Sequence, residues 1–266
     1  MIDPAWLAAY SGLGLVVGFV AGLLGVGGGL IIVPVLIMML HAQGLAAGME
    51  PQLALGTSLA SILFTSLSSV RAHHRHAAVE WLLVRRIAPG IVAGTLIGAM
   101  LAAQMSAWVL KVFFVVFLFY AATQMWFDFK PAPHRSLPGR LGTTAAGSVI
   151  GAVSSWVGIG GGTLSVPFML WHNVTLHRAI ATSAAIGFPI AIAGAVGYVM
   201  GGWDVPSRPA GSLGFVYLPA LVGIALGSVL TAPLGARTAH RLPVGRLKKI
   251  FALLLFALAI RMTSSL

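Results

Sequence analysis

Gly22-Leu23-Leu24-Gly25-Val26-Gly27-Gly28-Gly29-Leu30-Ile31-Ile32-Val33-Pro34 breaks an apolar run with three consecutive glycines. Ser155-Trp156-Val157-Gly158-Ile159-Gly160-Gly161-Gly162-Thr163-Leu164-Ser165-Val166-Pro167 repeats the pattern 133 positions later, in a chain of 266 residues. Both copies read Gly-hydrophobic-Gly-Gly-Gly, four residues, then Pro. Each half of the chain therefore carries one break, and each break interrupts a stretch that would otherwise read as a membrane helix. The spacing predicts two related breaks that face each other across a binding site.

The surroundings of the breaks fix the class. Hydrophobic residues make up 58% of the chain and charged residues 8%, with a mean hydropathy of +0.97. An ordinary soluble domain carries about 25% charge. Long uncharged apolar runs recur, each near the roughly 20 residues that span a bilayer. The expectation is an all-α integral membrane protein, an inverted-repeat helical bundle with two broken or re-entrant helix pairs, forming one transmembrane domain over 1–266. The absence of Cys excludes disulfides, thiolate metal sites and cysteine nucleophiles. Met1-Ile2-Asp3-Pro4 lacks the basic flank of a signal peptide, so the first run reads as a retained helix.

Ten apolar segments are predicted, five per half. They cover about 5–24, 30–40, 52–70, 87–103 and 107–127, then about 141–157, 164–171, 180–200, 215–236 and 250–262. The first repeat spans about 5–127, a polar linker 128–140, and the second repeat about 141–262. The two short segments after the breaks are too short to cross a bilayer at 1.5 Å per residue. Further pairings support the repeat: Gly56-Thr57-Ser58-Leu59 with Ala181-Thr182-Ser183-Ala184, Gly94 and Gly98 with Gly223 and Gly227, and Lys111-Val112-Phe113-Phe114 with Lys248-Lys249-Ile250-Phe251.

Charge orients the threading. The net charge of +11 resides in short connections between segments, which argues for membrane orientation and against nucleic acid. The connections after segments 3, 5 and 9 hold nearly all the Lys and Arg, so they face the cytoplasm. The uncharged tail, the 40–51 connection and the 103–106 connection face outward, and both termini fall outside a bacterial-type inner (plasma) membrane. Corresponding connections in the two halves then lie on opposite faces, which is the inverted repeat of secondary transporters.

Glycine breaks at membrane depth leave backbone groups that must be paired, buried or wetted. A short helix starting there offers free N–H groups and the positive end of its dipole, an anion site without a charged side chain. Consecutive glycines do not share one helical face, so close helix packing does not account for them. By contrast Gly14, Gly18 and Gly22, and Gly90, Gly94 and Gly98, recur every four residues, as small-residue helix contacts do. The candidate substrate-binding residues are Gly27, Gly28, Gly29, Gly160, Gly161 and Gly162, with the hydroxyls of Thr57, Ser58, Thr163, Thr182 and Ser183. Ser165 is a further hydroxyl in the second half, and Gln52 and Asn173 are weaker candidates. His73-His74-Arg75-His76 reads as a solvated basic loop, and no metal, cofactor or catalytic residue is expected. Trp6, Trp81, Trp108, Trp126 and Trp203 fall near segment ends, as an aromatic belt would. No Walker loop is present, so ATP does not drive the protein directly. None of the five acids (Asp3, Glu50, Glu80, Asp128 and Asp204) lies inside a run, so coupling through a mid-membrane carboxylate is not expected.

On the paired glycine motifs and the Thr-Ser pairs, the chain resembles the sulfite exporter TauE/SafE family over essentially its whole length. The resemblance implies a transporter of small anions such as sulfite, thiosulfate or sulfonates, with a small anionic substrate and the lipid bilayer as its partners; the oligomeric state stays open. Ala181 stands where the first half has Gly56, so the two Thr-Ser turns need not be equivalent. The alternatives are an uncoupled anion channel and a non-transporting membrane scaffold. An intramembrane protease would need a His inside a segment beside Gly56-Thr57-Ser58, and none is read there.

Overall fold

The computed structural model describes residues 3–24, 28–45, 47–75, 79–128, 136–239 and 244–265. Among them the chain forms ten helices and one two-stranded hairpin. The first half contains α1 (Pro4–Leu24), α2 (Gly29–Ala42), α3 (Glu50–Arg75), α4 (Trp81–Gln104) and α5 (Ala107–Phe127). The second contains α6 (Arg140–Val157), α7 (Gly162–Trp171), α8 (Leu176–Gly201), the hairpin β1 (Ser212–Leu213) and β2 (Val216–Tyr217), α9 (Leu218–Ala239) and α10 (Val244–Thr263). The protein is an all-α membrane bundle: five helices are long and apolar enough to span a bilayer, and α2 and α7 are the short apolar pieces that follow the breaks.

Several segments run further than their apolar cores. The helix α3 continues through Arg71 to Arg75, where a basic loop is expected, and α4 starts at Trp81, six residues before Ile87. His41, in the last turn of α2, and His177, in the first turn of α8, also lie inside helices. Polar and basic residues such as Arg and Lys are good helix formers, so a helix can run past its apolar stretch. His76 lies outside the described residues. Glu50 is buried at the start of α3, where its carboxylate accepts from the Gly48 N–H at 3.0 Å and lies 3.5 Å from His41 Nδ1.

The packing exchanges helices between halves. Side by side and in the same direction, α1 runs along α9 and α6 along α4. A Cβ at Gly14 would sit 2.4 Å from the Ile224 carbonyl oxygen, and one at Gly147 would sit 2.5 Å from that of Ile87. Likewise Gly18 abuts Ser228 and Gly151 abuts Ile91. Bare backbone lets these helices approach closely in place of a hydrophobic driving force. Ile87 and Ile91 of α4 thus occupy the places of Ile224 and Ser228 of α9. On this register Gly90 matches Gly227 and Gly98 matches Gly235, which corrects the expected matches of Gly94 with Gly223 and Gly98 with Gly227 by two helical turns. The Lys111–Lys248 match keeps the same step as Ile87–Ile224.

The exchanged pairs and the α5·α10 pair show apolar side chains outward, among them Val92, Ile97, Val116, Leu226, Leu230 and Ile260. The middle is α3 against α8, and residues 50–62 of α3 are buried without a break.

Candidate functional site

The two breaks meet at the centre. A Cβ at Gly29, the first residue of α2, would lie 2.1 Å from the Gly158 carbonyl oxygen, so the start of the first short helix rests on the backbone of the second break. The same carbonyl accepts the Ser58 hydroxyl at 2.7 Å. Gly158 caps α6 at φ 68° and Gly161 caps α7 at φ 79°, left-handed conformations that glycine adopts without a Cβ penalty. Gly28 precedes α2 and is buried against Val17; Gly27 lies outside the described residues.

The start of α7 carries the unsatisfied polarity. The N–H groups of Leu164 and Ser165 turn back to the Gly161 carbonyl at 3.1 and 2.8 Å, while those of Gly162 and Thr163 have no partner among the described residues. Beside them the hydroxyls of Thr163 and Ser154 are enclosed, also without a partner. A Cβ on Gly161 would be 3.5 Å from Ser154 Oγ, so that hydroxyl borders the helix start. A buried hydroxyl left unpaired costs roughly 1–3 kcal/mol, which singles out Thr163 and Ser154 at this helix start. Ser165 and Ser183 close one side through a 2.7 Å hydroxyl pair.

The Thr-Ser pairs divide their work. Thr57 Oγ1 accepts the Tyr217 N–H at 2.9 Å, just before α9, and Thr182 Oγ1 accepts the Glu80 N–H at 3.0 Å, just before α4. The Thr of each pair fastens the start of a helix, and the Ser reaches toward the second break, to the Gly158 carbonyl or to Ser165. Gly56 is needed because the Phe215 carbonyl comes within 2.3 Å of its would-be Cβ. Ala181, at the matching position in the second half, is fully buried in α8. Gln52 donates to the Met105 carbonyl at 2.8 Å, and Asn173 sits in a left-handed turn after α7.

Sequence reading missed Ser154. Its signal was the mismatch between repeats: Ser154, Thr163 and Ser165 fall where the first half has Ala21, Leu30 and Ile32. The polar lining is therefore concentrated in the second half.

A bundle of exchanged helices around two broken apolar pairs, with a buried polar centre, is the architecture of a membrane transporter. The family model for the sulfite exporter TauE/SafE matches residues 10–262. The chain belongs to that family. It is 37% identical over 252 residues to a probable membrane transporter protein of Haemophilus influenzae, covering 94% of this chain and 95% of that one. It is 30% identical over 210 residues to the probable membrane transporter protein YunE of Bacillus subtilis, covering 71% and 77%. No solved structure matches.

Proposed function

We propose that the protein carries a small sulfur oxyanion, of the sulfite, thiosulfate or sulfonate class, across a bacterial-type inner membrane by alternating access. The observation that carries this reading is the start of α7, where the buried hydroxyls of Thr163 and Ser154 lack a partner and the N–H groups of Gly162 and Thr163 are left unbonded among the described residues. Neutral donors and a helix dipole suit an anion that must be released again. In this reading Gly160, Gly161 and Gly162 let the substrate approach the backbone, Gly28 and Gly29 bring the first break against it, and Ser58 and Ser183 hold the surrounding frame. Thr57 and Thr182 tie the frame to α9 and α4.

The chain forms two pseudo-repeats of opposite orientation, 5–127 and 141–262, with the basic connections inside and both termini outside. The parallel course of α1 with α9 and of α6 with α4 supports this threading. It also changes which bodies move: the pairs α1·α9 and α4·α6 each mix the two halves, so the sliding units are these pairs against the α3·α8 centre.

Thiosulfate flux into proteoliposomes tests the site. Gly160→Leu and Gly28→Leu are expected to abolish flux while protein remains in the membrane, and Gly12→Leu, which meets nothing within 4 Å, to leave it intact. Gly160→Ala sharpens the test, because its added methyl meets Ile62 only at 3.4 Å. Normal flux in both leucine variants at Gly28 and Gly160 would sink the assignment.

A further inference from the structure

A second polar space lies at the far end of α7. A cavity of about 280 Å³ opens between the starts of α4 and α6 and the turn from α7 into α8, lined by Glu80, Arg86, Thr143, His172, Thr175 and Arg178 among others. Most of its polar groups are accounted for. Glu80 is ion-paired to Arg178, and its N–H is held by Thr182. The Thr143 hydroxyl donates to the Pro138 carbonyl at 2.9 Å, and His172 Nδ1 donates to the Phe168 carbonyl at 2.7 Å. Arg86 is different. Its backbone is pinned by the Thr144 hydroxyl, which donates to its carbonyl at 3.1 Å, and its Nε is shut away from solvent with no partner among the described residues.

With Glu80 and Arg178 neutralising one another, the cavity retains one positive charge. The first turns of α4 and the capping residue of α8, Thr175, also border it, so two helix starts add positive potential. A half-buried guanidinium on the wall of a cavity of this size, beside two helix starts, suits a planar or tetrahedral oxyanion with its waters. We infer that this cavity is a loading site for the transported oxyanion at the basic face of the protein, with Arg86 as its anchoring cation. The inference rests on the oxyanion reading above, but concerns different residues at a different depth: the ten residues of α7 place it about 15 Å from the glycine break.

The test is equilibrium binding of thiosulfate to purified full-length protein in zwitterionic detergent, together with phenylglyoxal labelling mapped by peptide mass spectrometry. Made in the Gly160→Leu background, which removes the central site, Arg86→Gln is expected to weaken binding about tenfold or more, the effect of losing a charge-assisted hydrogen bond. Arg86→Lys should recover part of the loss, and Arg85→Gln, at an exposed neighbour, should bind normally. Thiosulfate should protect Arg86, and not Arg85, from phenylglyoxal in the unmodified protein, which keeps the test valid if Arg86→Gln fails to fold. Protection should persist in Gly160→Leu, so failure of the transport site and failure of this one are told apart. Unaltered binding by Arg86→Gln, or labelling of Arg86 regardless of thiosulfate, overturns the inference. So does protection by phosphatidylglycerol nanodiscs without added anion, which would assign the cavity to a lipid headgroup.

Discussion

The two ends of the bundle share a backbone plan and differ in what fills it. At one end the Tyr217 N–H binds Thr57; at the other the Glu80 N–H binds Thr182, and the two bonds differ by 0.1 Å, at 2.9 and 3.0 Å. On the repeat register Tyr10 corresponds to Thr143, Tyr217 to Glu80 and Gly223 to Arg86, while Gln43 and His172 are the capping residues of α2 and α7. At the tyrosine end the rings of Tyr10 and Tyr217 meet edge to face at 6.2 Å, the Gln43 side chain donates to the Tyr10 hydroxyl, and Gly223 gives the Tyr10 backbone room. At the other end smaller and charged side chains leave the cavity. Aromatic bulk fills one mouth where charge and volume open its counterpart. On the repeat reading proposed above, a handful of side chains thus gives the two ends a direction.

The comparison can be broken most forcefully at the filled end. Tyr10 is fully buried, so Tyr10→Ala should destabilise the protein by about 3–5 kcal/mol, read as a lowered thermal midpoint in detergent. The counterpart Thr143→Ala should cost much less, because its hydroxyl borders an existing cavity; equal losses would show that the ends are packed alike. Next come the fastenings. Thr57→Val and Thr182→Val each strand a backbone N–H, at about 1–3 kcal/mol, and the two losses should agree. A large inequality would refute the equivalence of the ends. Smallest is Glu80→Gln. Its partner Arg178 has a side chain 60% exposed, and such pairs contribute about 0–1 kcal/mol, so the thermal midpoint should barely move.

The breaks were legible because three adjacent glycines have no place inside an apolar helix, and the membrane class followed from the scarcity of charge. The ends of α3 and α4 were not, since Arg71–Arg75 and Arg85-Arg86 look like loop residues while their backbone remains helical. The α4–α9 register was misread for a different reason. A glycine every four residues matches itself when slid by a turn, so the alignment is selected by the partners across the interface, Ile87 and Ile224, in step with the Lys111–Lys248 match. Ser154 was hidden as an ordinary helical serine until its first-half counterpart, Ala21, is set beside it. The cavity was invisible because Glu80, Arg86, Thr143, His172 and Arg178 come from separate stretches, and only the fold gathers them.

The exchange of α1 onto α9 and of α6 onto α4 carries a consequence for how the chain holds together. Each glycine-striped seam joins a helix from before the central linker to one from after it. The seams therefore fasten the chain before Asp128 to the chain after Ser136, as in an obligate heterodimer whose subunits have been fused. Two co-expressed fragments divided at that point should find each other and assemble. A single fragment would present two bare backbone grooves to lipid, with nothing to fill them.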